Sequence, residues 1–279
     1  MRKAILYLFI AALIAGGVFL YQESDHLPSA LQQYVENGEF VTFKARFTPE
    51  QIMQAHKGEL LEDNKHSFGA ASVKYYPYLL MEIKYVQPDK KTREGVSLWS
   101  MVDGEMVLDT STWEITHGFQ DAIEAQAIRN DYKLMQVLAK TKSSTFERLQ
   151  KDLGLEKETL QQWIKSALDK HLIVQKGGDI QLHFQNPKIA VLPETKMGDS
   201  FVKQPYSYSQ HVAKKYTTKQ IQNAGKAAFG SDFTVRSSTE VFLPVYAIEV
   251  KNPDGSILTT YWNALNGERM TPRLGSTGW

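Results

Sequence analysis

The chain has 279 residues, 42% of them hydrophobic and 23% charged, which is the make-up of an ordinary folded protein with room for two or three compact units and excludes disorder on a large scale. Its formal net charge of +1 hides an asymmetry: residues 22–128 carry 9 Lys+Arg against 17 Asp+Glu, whereas residues 129–189 carry 11 against 7 and residues 190–279 carry 10 against 7. The absence of cysteine excludes disulfides, thiolate metal ligands, a cysteine nucleophile and a lipid-modified cysteine.

The chain opens with Arg2 and Lys3, then an uncharged run from Ala4 to Tyr21, then Glu23 and Asp25. Eighteen helical residues rise about 27 Å against a hydrocarbon core of about 30 Å, so residues 1–21 are expected to form a transmembrane signal anchor, with the membrane met through residues 4–21. A cleaved signal peptide is the competing reading, disfavoured by the length of the run and the lack of a small-x-small site after it. Basic residues before the run and acidic ones after it predict a single-pass protein of the cell membrane with the bulk of the chain extracytoplasmic.

Residues 22–38 read as a connector, with a short helix in "LPSALQQYVENG" stopped by Asn37-Gly38. In "EFVTFKARFT", Val41, Phe43, Ala45 and Phe47 alternate with polar residues, the pattern of a half-buried strand. "TPEQI" starts a helix, with Thr48 as N-cap, Pro49 in the first turn and Gln51 closing a capping box. Two strands follow, "VKYYPYLLMEIKY" and "GVSLWSMVDGE", joined by the charged turn "VQPDKKTRE". Pro77 predicts an edge position for the first of these, and alternation puts Tyr76 and Tyr78 on one face, a candidate surface for docking a peptide by strand addition.

The same order returns near the carboxyl end. "FTPEQI" at 47–52 matches "YTTKQI" at 216–221, "YYPYLLMEIKY" matches "VFLPVYAIEVK" with Pro77 over Pro244, and "WSMVDGE" matches "WNALNGE" with Trp99 over Trp262. The offset drifts from 169 to 167 to 163, as small loop insertions would produce. We read an internal repeat of two helix-plus-antiparallel-sheet modules, at 39–120 and 211–279, with each tryptophan expected in a core. The second copy, "YAIEVKNPDGSILTTYWNALNGERM", resembles a PepSY or cystatin-type domain in its hairpin and its terminal D-x-x-x-G-E strand; this chain has Asp103 directly before Gly104 in one copy and Asn266 before Gly267 in the other. The resemblance implies a non-catalytic, extracytoplasmic interaction or inhibitory module.

Residues 121–188 carry a different pattern. "NDYKLMQVLAKTK" predicts a helix with Leu134, Val137 and Leu138 inward; Ser144 is placed to cap "TFERLQKDLG", and Gly154 makes a tight turn. In the next helix Leu160, Ile164, Ala167 and Leu168 fall on one face, so Lys157, Gln161, Gln162 and Lys165 point out. "HLIVQKGGDIQLHF" predicts two short strands around Gly177-Gly178. Over about sixty residues this resembles the winged helix-turn-helix family, with 189–210 as a linker to the second module. Lys157, Lys165, Lys170 and Lys176 suit phosphate contact, but Glu156 and Glu158 stand where the helix would enter a groove, and it has no arginine for guanine. Protein contact through Lys157, Gln161, Gln162, Lys165 and Lys176 is therefore the leading expectation for this face.

Chemistry finds little support. The seven histidines, at 26, 56, 66, 117, 171, 183 and 211, show no metal-ligand spacing, and no nucleophile elbow or phosphate-binding loop occurs, so no metal, cofactor or catalytic residue is expected. The expected whole is α+β: an N-terminal transmembrane helix, then two modules flanking a winged helix, in a non-enzymatic protein that binds or regulates another envelope protein. The alternative is a membrane-tethered DNA-binding transcriptional regulator with a cytoplasmic winged helix, in which nucleic acid replaces the envelope protein as partner.

Overall fold

Two long strands organise the molecule. The computed structural model describes residues 38–270 apart from Glu62, Asn64, Pro88, Ser207 and Tyr208. In chain order the elements are β1 (Glu39–Phe43), α1 (Pro49–Ala55), α2 (Lys57–Leu60), β2 (Ser67–Val86), β3 (Thr92–Ser100), β4 (Met106–Asp109), β5 (Glu114–Ile115) and α3 (Phe119–Glu124). Then come α4 (Arg129–Thr141), β6 (Ser143–Thr145), α5 (Phe146–Leu153), α6 (Lys157–Asp169), β7 (Ile173–Lys176) and β8 (Asp179–Leu182). The chain closes with β9 (Phe201–Pro205), β10 (Gln210–His211), α7 (Thr218–Phe229), β11 (Thr234–Lys251), β12 (Ile257–Asn263) and β13 (Arg269–Met270).

The architecture is α+β, but the expected transmembrane helix is corrected. Among the described residues no helix is long and apolar enough to cross a membrane, the longest having 13 residues where a span needs about 20. The run at 4–21 lies outside the described residues, so the membrane and signal-anchor reading has no structural support.

The large sheet runs β13-β12-β11-β2-β3-β4-β5, with β2 and β11 antiparallel along most of their length. Tyr76 stands opposite Leu243, Tyr78 opposite Val241 and Lys74 opposite Val245. The offset of 167 that aligns Pro77 with Pro244 also carries Tyr76 onto Leu243, so an approximate dyad passes through that pair. Local detail obeys it. Trp99 Nε1 donates to Ser97 Oγ and Trp262 Nε1 to Thr260 Oγ1, each at 2.8 Å, and Gly104 and Gly267 both have φ of 74°. The side-chain oxygens of Asp103 and Asn266 accept from the N–H of Glu105 and Glu268, at 3.1 and 3.0 Å.

The prolines explain why β2 is central rather than an edge. On the side of β2 away from β11, β10 pairs at Lys74 and Tyr75 and β3 pairs from Tyr78 onward; Pro77 falls at the change of neighbour, where no N–H is required. Pro244 occupies the matching break on β11, between β1 at Phe242 and β12 from Val245.

Each helix lies over the strands of the other half. Ile52 of α1 and Leu60 of α2 pack with Ile248, Val250 and Trp262, whereas Ile221, Ala224 and Ala228 of α7 share a core with Leu79, Met81, Ile83 and Trp99. The approaches to the helices are pinned alike: the N–H groups of Arg46 and Phe47 donate to Ala264 O (2.9 and 3.1 Å), and those of Lys215 and Tyr216 to Met101 O (2.9 and 3.0 Å). Thr48 with Gln51, and Thr217 with Gln220, then form the two capping boxes.

The segment from α3 to β8 packs onto α7. Leu134, Leu138, Leu149, Leu160, Ile164 and Ile180 join the core that holds Trp99 and α7. Arg129 donates to the carbonyls of Ala227 (3.2 Å) and Ala228, satisfying orphan acceptors at the negative end of α7. Glu105 is 1% exposed and accepts from Thr116 Oγ1 (2.6 Å) and from the N–H groups of Gly118 (2.9 Å) and Gln120 (3.1 Å), which fixes the start of α3. Asp131, also buried, accepts from Lys170 Nζ at 2.5 Å and ties α4 to the end of α6. The cap of α5 is Thr145, the last residue of β6, whose hydroxyl accepts from the N–H of Arg148, rather than the expected Ser144, which stands one residue earlier in the strand, opposite Ile180.

Candidate partner-binding groove

The α6 helix is amphipathic by spacing. Leu160, Ile164 and Ala167 are buried, and their burial leaves Lys157, Gln161, Gln162 and Lys165 on the exposed side. Beyond Lys170 the chain turns through His171 at φ 56° into β7, and Gly177, at φ 64°, reverses it into β8, with Lys176 exposed before the turn. The three-stranded sheet runs β6-β8-β7, so the hairpin stands beside α6 and leaves a groove of about 350 Å³.

Phe146, Ile164, Leu168 and Ile180 give the groove its apolar lining, and Gln161, Lys165, Asp169 and Gln175 its polar one. Both charge signs and two neutral amides border a floor without formal charge, a mixture suited to one apolar side chain held by polar neighbours. Glu156 and Glu158 are exposed at the amino-terminal end of α6, where they complement the helix dipole and would repel a phosphate. No arginine lies on α6.

Of the residues expected to meet a partner, Gln161 and Lys165 line the groove; Lys157, Gln162 and Lys176 are exposed but do not line it. Tyr76 and Tyr78 are not at the surface, being 9% and 4% exposed in a core with Leu98, Val107 and Leu243. They lie on a central strand, and the docking role expected of them is corrected accordingly. Phe146 and Gln175 were not foreseen, since they reach the groove from α5 and β7 rather than from the helix whose periodicity marked the face.

Among the described residues no group of three or more His, Asp or Glu side chains could hold a metal ion. His56 and His66 instead pair singly with Glu59 (3.3 Å) and Asp63 (2.7 Å) on the surface. His211 is the more unusual histidine. Its ring lies among Phe40, Tyr75, Tyr206 and Phe242, with centroids 4.6 to 5.4 Å away. Ser209 Oγ donates to Tyr206 O at 2.7 Å, so the 2.7 Å contact between Ser209 Oγ and His211 Nε2 requires the proton to sit on Nε2. Nδ1 is buried with no hydrogen-bond partner, and burial holds the pKa down to about 4. Four separated segments build this cluster, and no local sequence pattern announces it. Comparison with family models, curated proteins and solved structures finds no match for the chain.

Proposed function

We propose that the protein is a non-enzymatic binding module and that the groove between α6 and the β7–β8 hairpin receives an apolar side chain of a protein partner. On this reading residues 121–188 are a winged-helix-like unit used for protein contact, carried on two PepSY- or cystatin-like halves. The observation that supports it most is the apolar floor with a mixed-charge rim, beside a helix whose leading end is acidic.

A photo-crosslinking residue at Gln161 tests the reading in cells. A single protein adduct, lost when the partly buried Leu168 is changed to Gln in a protein of unchanged melting temperature, is the expected result. Binding of the purified chain to a mixed-sequence 30-base-pair duplex, steeply weakened by salt and by Lys157→Ala, Lys165→Ala and Lys176→Ala together, would replace the protein partner with nucleic acid.

A further inference from the structure

Where α3 and the start of α4 meet the first turns of α7, the packing leaves a second cleft of about 350 Å³, within the range of small-molecule sites. Ala122, Ile123 and Ala127 line one side and Ala224 the other, and their short side chains leave the space open. Tyr132, wholly buried, lies at the bottom. The polar lining is three neutral amides, Gln126, Gln220 and Asn223. Unlike the groove beside α6, this cleft has no charged residue among those that line it.

The local structure sets what these groups can offer. Gln220 closes the capping box of α7: its Oε1 accepts from the N–H and the hydroxyl of Thr217, at 2.9 and 3.0 Å, which leaves its Nε2 as a donor. Gln126 follows α3 in the left-handed conformation, φ 52°. Its own N–H donates to Ile123 O (3.0 Å) and that of Ala127 to Ala122 O (2.8 Å), a helix ending whose left-handed position ordinarily takes glycine. Both N–H groups are thus engaged, and a peptide backbone entering the cleft finds no main-chain donor in that turn. The side chains of Gln126 and Asn223 make no hydrogen bond among the described residues. The Tyr132 hydroxyl is buried, also without a partner among the described residues. Burial, then the carboxylates of Glu105 and Asp131, push its pKa up, so the phenol stays neutral and the same two carboxylates disfavour an anion above it.

We propose that the cleft between α3 and α7 is a small-molecule site for an uncharged ligand that presents a carboxamide, or a like pair of donor and acceptor, on an apolar body. Gln220 Nε2 donates to the ligand's carbonyl oxygen, and the Gln126 and Asn223 amides, each both donor and acceptor, pair with what remains of its polar head. The alanines and Ile123 cover the apolar body. With no cation in the lining and two buried carboxylates near the floor, the site selects a neutral head over an anionic one of the same shape.

The probe is benzamide, titrated into the isotope-labelled full-length protein and followed by NMR at the side-chain NH2 signals of Gln126, Gln220 and Asn223. Benzoate, the same shape with a negative charge, is the comparison. Saturable shifts at all three with benzamide, and none with benzoate, are the expected result. Gln126→Gly removes one amide and suits the left-handed turn, so it should weaken binding at least fivefold without lowering the melting temperature. Gln51→Ala, which breaks the matching cap across the dyad, should leave binding unchanged. Absence of saturable shifts at millimolar benzamide, an equal response to benzoate, or binding indifferent to Gln126→Gly combined with Asn223→Ala overturns the proposal. So do shifts that appear only once residues 1–37 or 271–279 are deleted, since the cleft would then be filled from within.

Discussion

The two ends of the sheet carry the same local instructions and meet different fates. α7 lies between the strands of the first half and the α3–β8 segment, with its carboxyl end held by Arg129. α1 has seven residues, and with the short α2 it covers a small core built around Trp262. Caps, glycine turns and buried indoles are equivalent at both ends, so the extra cover over α7 is tertiary. Matching side chains across the dyad should therefore differ in energetic weight, and these differences can be measured.

The tryptophans give the largest contrast. Trp99→Ala should cost about 5 kcal/mol and Trp262→Ala about 3 kcal/mol in urea unfolding, because the well-enclosed site has less room to collapse into the cavity. Equal losses would break the comparison. Next are the turn glutamates. Glu105→Ala strands the N–H groups of Gly118 and Gln120 and should cost about 3 kcal/mol; Glu268→Ala, at an exposed position, should cost less than about 0.5 kcal/mol.

The third contrast is with pH. The dyad places Thr42, whose hydroxyl donates to Phe242 O at 2.8 Å, where the other half has His211. The folded pKa of His211, about 4, lies below its unfolded value near 6.5, so the neutral ring is the one favoured by folding. Its stabilisation is complete above about pH 6.5 and is lost as pH falls towards 4, amounting to about 2 kcal/mol for a half-buried ring. The urea midpoint followed from pH 7 to 4 should flatten over this range in His211→Thr. The helix caps come last: Thr48→Ala and Thr217→Ala should each cost about 1 kcal/mol, and a clear inequality would show that the cover over α7 reaches its first turn.

Local physics was readable and distant pairing was not. Thr48 with Gln51 and Thr217 with Gln220 announce helix starts because capping is settled within four residues, and Gly177 marks a hairpin for the same reason. Pro77 was misleading: a missing N–H shows where a strand lacks a partner, not whether the absence runs along an edge or sits in a gap between two neighbours. With that, Tyr76 and Tyr78 moved from surface to core, though their shared face was correctly read from alternation. On α6, a period of 3.6 exposes Gln161 and Lys165, while the groove's opposite wall, with Gln175, depends on how the hairpin stands. The apolar run at 4–21 was judged on hydropathy alone, and no described helix supports a span.

The crossing of the two helices sets an order of assembly. Tyr246 OH bonds Phe47 O across 199 positions of chain, and Ile52 finds its bed only on strands that end at Asn263. At about 5 to 20 residues per second, the ribosome needs roughly 10 to 40 s after making α1 to deliver those strands. Through that interval Ile52 and Leu60 have no native surface to cover them, and neither half can finish its core alone. A nascent chain stalled before residue 234 should therefore leave α1 open to protease, and release of the full-length chain should close it.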